Sequence, residues 1–169
     1  NSTLANVYVN NGFTSYPHTD TCTSSYCIWA RYGERGGGIA GTMYGGTLTN
    51  AHTGANVKGS GIIIGGLVGY AAEGAIISES SSTAGVDGGD RIGGLVGEAD
   101  GIEIHDSTAS GRVDTVYEYQ VDKFGSRGGG LVGKISNSEI TNSSASGNVY
   151  GSSEIGGLIG RAEQLTATT

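Results

Sequence analysis

The five residues GGLVG at Gly65–Gly69 recur unchanged at Gly93–Gly97 and Gly129–Gly133, and in altered form as GGIAG at Gly37–Gly41 and GGLIG at Gly156–Gly160. Nothing else in the 169 residues constrains the fold as strongly. A unit written five times folds by burying its apolar face against its own copies. The first glycines are spaced 28, 28, 36 and 27 residues apart. The third interval reads as one standard repeat carrying about eight extra residues.

Alignment on the first glycine brings more than glycine into register. Eleven positions on stand Leu48, Ile76, Ile104 and Ile140; two further on stand Asn50, Ser78, Asp106 and Asn142, short polar residues that favour turns. Then come Ala55–Val57, Ala84–Val86, Gly111–Val113 and Gly147–Val149, and Ile64, Ile92 and Ile155 precede the next glycine pair. No apolar spacing of three and four persists, so helices are not expected; short β-branched runs between turn residues predict strands.

The expected fold is all-β, a parallel β-helix or β-solenoid of about five coils with repeats of 27–28 residues. Its core ladder comprises Leu67, Leu95, Leu131 and Leu158 beneath Ile39, with Ile76, Ile104, Ile140, Val86, Val113 and Val149. Val68, Val96 and Val132 follow those leucines directly, so strand alternation predicts that they face outward or sit at a corner. The glycines are expected to serve two ends: a positive φ at the corners of the coil and, where paired, close approach of neighbouring coils. The divisions are an N-terminal partial coil and cap (1–36), repeats at 37–64, 65–92, 93–128, 129–155 and 156–160, and an incomplete final coil (161–169).

GGLVG followed by an isoleucine in a Ser/Thr/Asn-rich tract and then G-x-V resembles the GLUG-motif repeats. Those occur in secreted and surface-anchored bacterial proteins, including large adhesins and IgA-specific metalloendopeptidases. The resemblance covers Gly37 to Gly160. It implies a solenoid stalk outside the cell and carries over no catalytic residue. Proteolysis of the kind found in those relatives needs an H-E-x-x-H helix, and His18, His52 and His105 lie in no such motif.

Charge and composition narrow the partners. The net charge of −7 has no long run of one sign, which argues against nucleic acid and anionic membranes. No apolar stretch approaches the roughly 20 residues of a membrane span. The chain opens at Asn1 without a methionine or a leader-like segment, which reads as a processed or excised piece. Cys22 and Cys27, five residues apart in a polar loop, suit a local disulfide in a secreted protein. Sequons at Asn1 and Asn142 permit glycosylation.

Individual contacts are expected where the repeat breaks. Six of the twelve aromatics fall in the first 36 residues; the segment is either a cap over the first coil or a ligand platform carrying Tyr16, Tyr26 and Trp29. The insertion TVYEYQVDKFGSR (115–127) alternates, and Tyr117 and Tyr119 would be presented on a protruding strand or hairpin. It puts Gly128 where an isoleucine is expected, with Phe124 a candidate to fill the gap. The chain starts and stops about half a coil short, so copies stacked end to end as a filament are a further expectation.

Enzymatic chemistry has little support. GGGIAG at Gly36–Gly41 and GGGLVG at Gly128–Gly133 satisfy G-x-G-x-x-G without a βαβ unit around them. A polysaccharide lyase or hydrolase would need carboxylates converging on one face, and Asp87, Asp90, Asp100, Asp106 and Asp114 are the candidates. Of these only Asp106 stands in a repeated column, where turns explain it. Asp87 and Asp90 on a glycine turn are candidates for a weak Ca2+ site; no other cofactor is expected. The sequence therefore predicts a non-enzymatic structural or adhesive module, secreted or on the cell surface. Its partners would be adjacent repeats or other copies, a glycan or a host surface protein.

Overall fold

The computed structural model describes residues 2–9, 27–30, 34–115 and 126–164, without the side chains of Cys27 and Trp29. The described residues are all-β: they form strands and turns with no helix, arranged in four sheets. Every strand pairing is parallel. Each strand pairs with its counterpart in the preceding or following repeat.

Three sheets keep the order of the repeats. The second sheet runs through Cys27–Ala30, Asn56–Gly59, Val86–Asp87, Val113–Asp114 and Val149–Tyr150. The third runs through Arg35–Gly37, Ile63–Gly65, Arg91–Gly93, Arg127–Gly129 and Ile155–Gly156; the fourth through Ala40–Tyr44, Val68–Ala72, Val96–Asp100, Val132–Ser136 and Ile159–Glu163. The first sheet has eight strands, because Thr47–Thr53 spans a corner. Thr3–Val9 pairs along it on one side. On the other it divides into Ile76–Ser78, Glu103–His105 and Glu139–Thr141, and Ser81–Ser82, Thr108–Ala109 and Ser144–Ala145.

The glycine motif fixes this register: Gly37, Gly65, Gly93, Gly129 and Gly156 pair in succession. None of these glycines has a positive φ, so the expectation of left-handed corners fails at the motif. Close approach is the reason for them. A Cβ on Gly65 would run into the Val68 carbonyl of its own corner. One on Gly66 would strike the Gly94 carbonyl of the following repeat and the Ser82 side chain. One on Gly69 would lie 2.5 Å from the Gly41 carbonyl of the preceding repeat. Each glycine of the motif thus faces a different neighbour, and Gly157, in the last described repeat, has nothing within 4 Å.

Left-handed backbone falls outside the motif, at Gly45, Gly46, Gly74 and Gly101 as expected of glycine, and on residues other than glycine. Asn6, Asn50, Glu79, Asp106 and Asn142 turn a corner of the first sheet with φ of 46 to 57°. Asparagine and aspartate tolerate this region best of the non-glycine residues. The next position in three repeats is serine, and it stitches the stack. Ser80 Oγ accepts from Ala51 N and donates to the Ser78 carbonyl. Ser107 does the same between Ser80 N and the His105 carbonyl, and Ser143 between Ser107 N and the Thr141 carbonyl. A buried hydroxyl satisfied in both roles joins two repeats without an unpaired polar group.

The interior holds two apolar clusters. The larger contains Leu67, Leu95 and Leu131 with Val68, Val96, Val132, Ile77, Ile104 and Ile135. The smaller contains Val57, Val86, Val113, Ile64 and Ile92, with Val149 packed against it. Val68, Val96 and Val132 are fully buried, which leaves the second of the two expected placements and not the outward one. The cause is a corner: Leu67 N and Val68 N both donate to the Leu95 carbonyl, so the backbone turns between them and strand alternation is suspended.

The isoleucine column also differs by one residue. Leu48, Ile77, Ile104 and Ile140 pair in register, and Ile76 pairs with Thr47 and Glu103. One extra residue at the Glu73–Gly74 turn, both of positive φ, produces the offset. Ile140 and Val149 are partly buried and Leu158 is 37 % exposed, because the last repeat is covered on one side only. The space beside Gly128 is taken by Thr115 and Ile155, so no gap awaits Phe124, which lies outside the described residues.

Candidate functional site

Tyr16, Tyr26, Tyr117, Tyr119 and Cys22 lie outside the described residues, as do the side chains of Trp29 and Cys27. The Trp29 backbone pairs with Lys58 in the second sheet. The candidate site must come from the described surface, and the densest chemistry there lies on the outer faces of the third and fourth sheets.

Five residues past the first glycine of each repeat, one column runs through Thr42, Tyr70, Glu98, Lys134 and Arg161. A neighbouring column runs through Arg35, Ile63, Arg91 and Arg127. These side chains point out of the sheets, a pleat away from the buried positions, and stack at the strand spacing of about 4.8 Å. Stacking at that distance lets unlike charges pair between repeats.

The lower two thirds of the surface closes into a ring of eight alternating charges. Glu98 meets Arg91 at 3.0 Å, Arg91 meets Asp90 at 3.5 Å, and Asp90 meets Arg127 at 2.8 Å. Arg127 meets Glu154 at 2.9 Å, Glu154 meets Arg161 at 3.1 Å, and Arg161 meets Glu163 at 2.6 Å. Lys134 completes the circuit, 3.1 Å from Glu163 and 3.4 Å from Glu98. The Arg91 Nε contact with Asp90 is ionic only, since that nitrogen makes no hydrogen bond. Burial raises the Asp90 pKa, opposed by Arg127 and then Arg91. The Glu163 pKa is lowered, chiefly by its hydrogen bond with Lys134. The ring is electrically neutral and ties three successive repeats together. Single exposed pairs contribute little, so its worth lies in being a network.

Above the ring the surface turns aromatic. Tyr44 and Tyr70 meet edge to face with centroids 6.0 Å apart. The Arg35 guanidinium lies 4.3 Å over the Tyr70 ring and donates to the Tyr44 hydroxyl at 3.3 Å. Tyr44 is 59 % exposed. The Tyr70 pKa is raised, first by burial and then by Asp100, Glu98 and Tyr44, with Arg35 opposing.

The five aspartates do not form one centre. Asp106 sits exposed at a left-handed corner, paired with His105 at 2.9 Å, and that hydrogen bond lowers its pKa. Asp100 accepts from Ser136 and Asn137, and Asp90 belongs to the ring. Asp87 and Asp114 do share a column on the second sheet, which the alignment missed because they trail the valines there. Asp87 is bound by Lys58 at 2.6 Å and Asp114 by Arg112, whose guanidinium lies 4.7 Å over Tyr150. Asp87 and Asp90, the calcium candidates, thus each face cations. Among the described residues no three His, Cys, Asp or Glu side chains gather as a metal site.

Arg35, Tyr44 and Tyr70 were missed in the sequence because they stand in three different columns, each of unlike residues. The usable signal in the Tyr70 column was complementarity at one offset: Tyr70, Glu98, Lys134 and Arg161 each stand five past a first glycine.

No curated protein and no solved structure matches the chain. One family signature does, described as the GLUG motif, over residues 88–116 and 124–150. The second stretch spans the Lys134 rung of the ring, and the first holds Asp90, Arg91 and Glu98. The chain therefore carries the GLUG motif, twice, in the repeats whose glycines, leucines and valines were read as its mark.

Proposed function

We propose that the chain is a β-solenoid of about five coils that serves as a non-enzymatic structural and adhesive module of a secreted or cell-surface protein. The observation that carries this reading is the unbroken parallel register of the glycine motif, Gly37 to Gly65 to Gly93 to Gly129 to Gly156. Such a stack is stiff along its axis, roughly 25 Å long in its repeating part at the strand spacing, and displays its outward columns as fixed rows. Its action is geometric: the coils hold a distance and the surface makes contacts.

The test is a binding screen of the purified chain against immobilised glycans and extracellular proteins, run beside an assay for released sugar products. Retention on one class of ligand without turnover is expected. Release of oligosaccharides from an acidic polysaccharide would replace this reading with the enzymatic one. A second reading is end-to-end association of copies, through the apolar edge that Ile155 and Leu158, each 37 % exposed, present at the last described repeat. Light scattering across a hundredfold range of concentration distinguishes the two, since a mass that does not rise removes the second.

A further inference from the structure

We propose that Arg35, Tyr44 and Tyr70 form a binding site for a carboxylated saccharide of the hexuronate class. The inference deepens the adhesive half of the reading above by assigning it a place and a ligand chemistry.

The first observation is a charge left over. Lys58, Arg91, Arg112, Arg127, Lys134 and Arg161 each have a carboxylate partner. Arg35 is the one arginine or lysine among the described residues that has none; its contacts are the Tyr44 hydroxyl and the Tyr70 ring. The second observation is that this guanidinium is pre-positioned. The Tyr70 ring 4.3 Å beneath it and the bond to Tyr44 hold it at two points, and that bond uses one N–H of five. An edge of the fork remains for a bidentate carboxylate. The third observation is the exposed Tyr44 ring alongside, an apolar face of the size that the C–H face of a pyranose covers, with a hydroxyl at its tip.

The surroundings choose among anions. The Tyr70 pKa is raised first by burial and then by Asp100 and Glu98, so two carboxylates border the site. A dianionic phosphate would meet their repulsion twice over, whereas a monoanionic carboxylate meets it once and gains the fork. The ring to one side supplies no free cation, since each of its four is paired. The site therefore takes one carboxylate per sugar and not a run of sulfates.

The experiment is calorimetric titration with tetragalacturonate, its fully methyl-esterified form and tetraglutamate, on the wild-type chain and on Arg35→Gln, Arg35→Lys and Tyr44→Ala, each confirmed folded by its β-sheet circular dichroism. Tetragalacturonate is expected to bind, and the ester at least about tenfold more weakly, because a neutral ester cannot receive the charged fork. Arg35→Gln is expected to lose at least about tenfold and Arg35→Lys nearly as much, since lysine neither forks nor stacks flat. Tyr44→Ala loses severalfold. Equal binding of acid and ester, unchanged binding in Arg35→Gln, or no binding of tetragalacturonate would each overturn the site. Tetraglutamate bound as tightly as tetragalacturonate would overturn its saccharide class. None of these outcomes touches the spacer role, which fails only on turnover or on loss of the rod.

Discussion

Two corners of the repeat solve the same problem by opposite means. At the glycine motif the chain turns with ordinary backbone angles and excludes side chains, because three carbonyls from three repeats converge there. At the corner of the first sheet the chain turns through left-handed backbone on Asn50, Glu79, Asp106 and Asn142, and side chains are plentiful. At the motif glycine serves proximity, and at the other corner the left-handed strain is placed on residues that solvent can reach. Abundant glycine in a repeat protein need not mean flexible backbone; here it marks where the repeats touch most closely.

The contrast can be broken most forcefully at the motif. Gly66→Ala should cost at least about 4 kcal/mol, since the added carbon meets backbone that cannot yield, whereas Gly157→Ala, in open space, should stay within about 0.5 kcal/mol. Denaturant unfolding of the pair decides it, and equal effects would refute the close-approach account. Next comes the apolar ladder: Leu95→Ala should cost about 3 kcal/mol and Leu158→Ala about 1 kcal/mol, because Leu95 is fully buried and Leu158 is 37 % exposed. At the other corner Glu79→Gly should stabilise by about 1 kcal/mol, by relieving a φ of 51° that glycine adopts freely. A loss in that variant would show that Glu79 does more than turn. The smallest effect is the pH response of Asp106. Its pKa is lowered by the His105 hydrogen bond, so its contribution is present above the ordinary carboxylate value of about 4 and disappears as pH falls through the depressed one. Thermal melts should therefore show Asp106→Asn losing less stability on acidification than the wild type.

Likeness between repeats was readable in the sequence, and relations between unlike residues were not. Leu67, Leu95, Leu131, Val86 and Val113 stand in ladders because identical types recur at one spacing. Ile76 was chosen over Ile77 because two single-residue insertions hide in equal intervals of 28. One lies between Val57 and Ile64, the other at Glu73–Gly74, and the undisturbed spacing from Gly128 to Ile155 is 27. Alternation alone would send Val68 outward; of the two placements expected for it the corner is the one found, because Leu67–Val68 is a bend. The ionic ring depends on complementarity across 7, 27 or 37 residues of chain, and the Arg35–Tyr44 contact on one across 9, which no search for sameness detects.

The insertions have an outcome of their own. Between Asp114 and Gly128 the third interval is longer than the basic unit by nine residues, yet Ile92 still faces Gly128 and Gly93 still faces Gly129. The added length leaves the pairing on either side unchanged. A lineage of such chains can therefore vary its flanks freely while its spine keeps count, and a foreign loop grafted between residues 115 and 126 should leave the pairing on either side undisturbed.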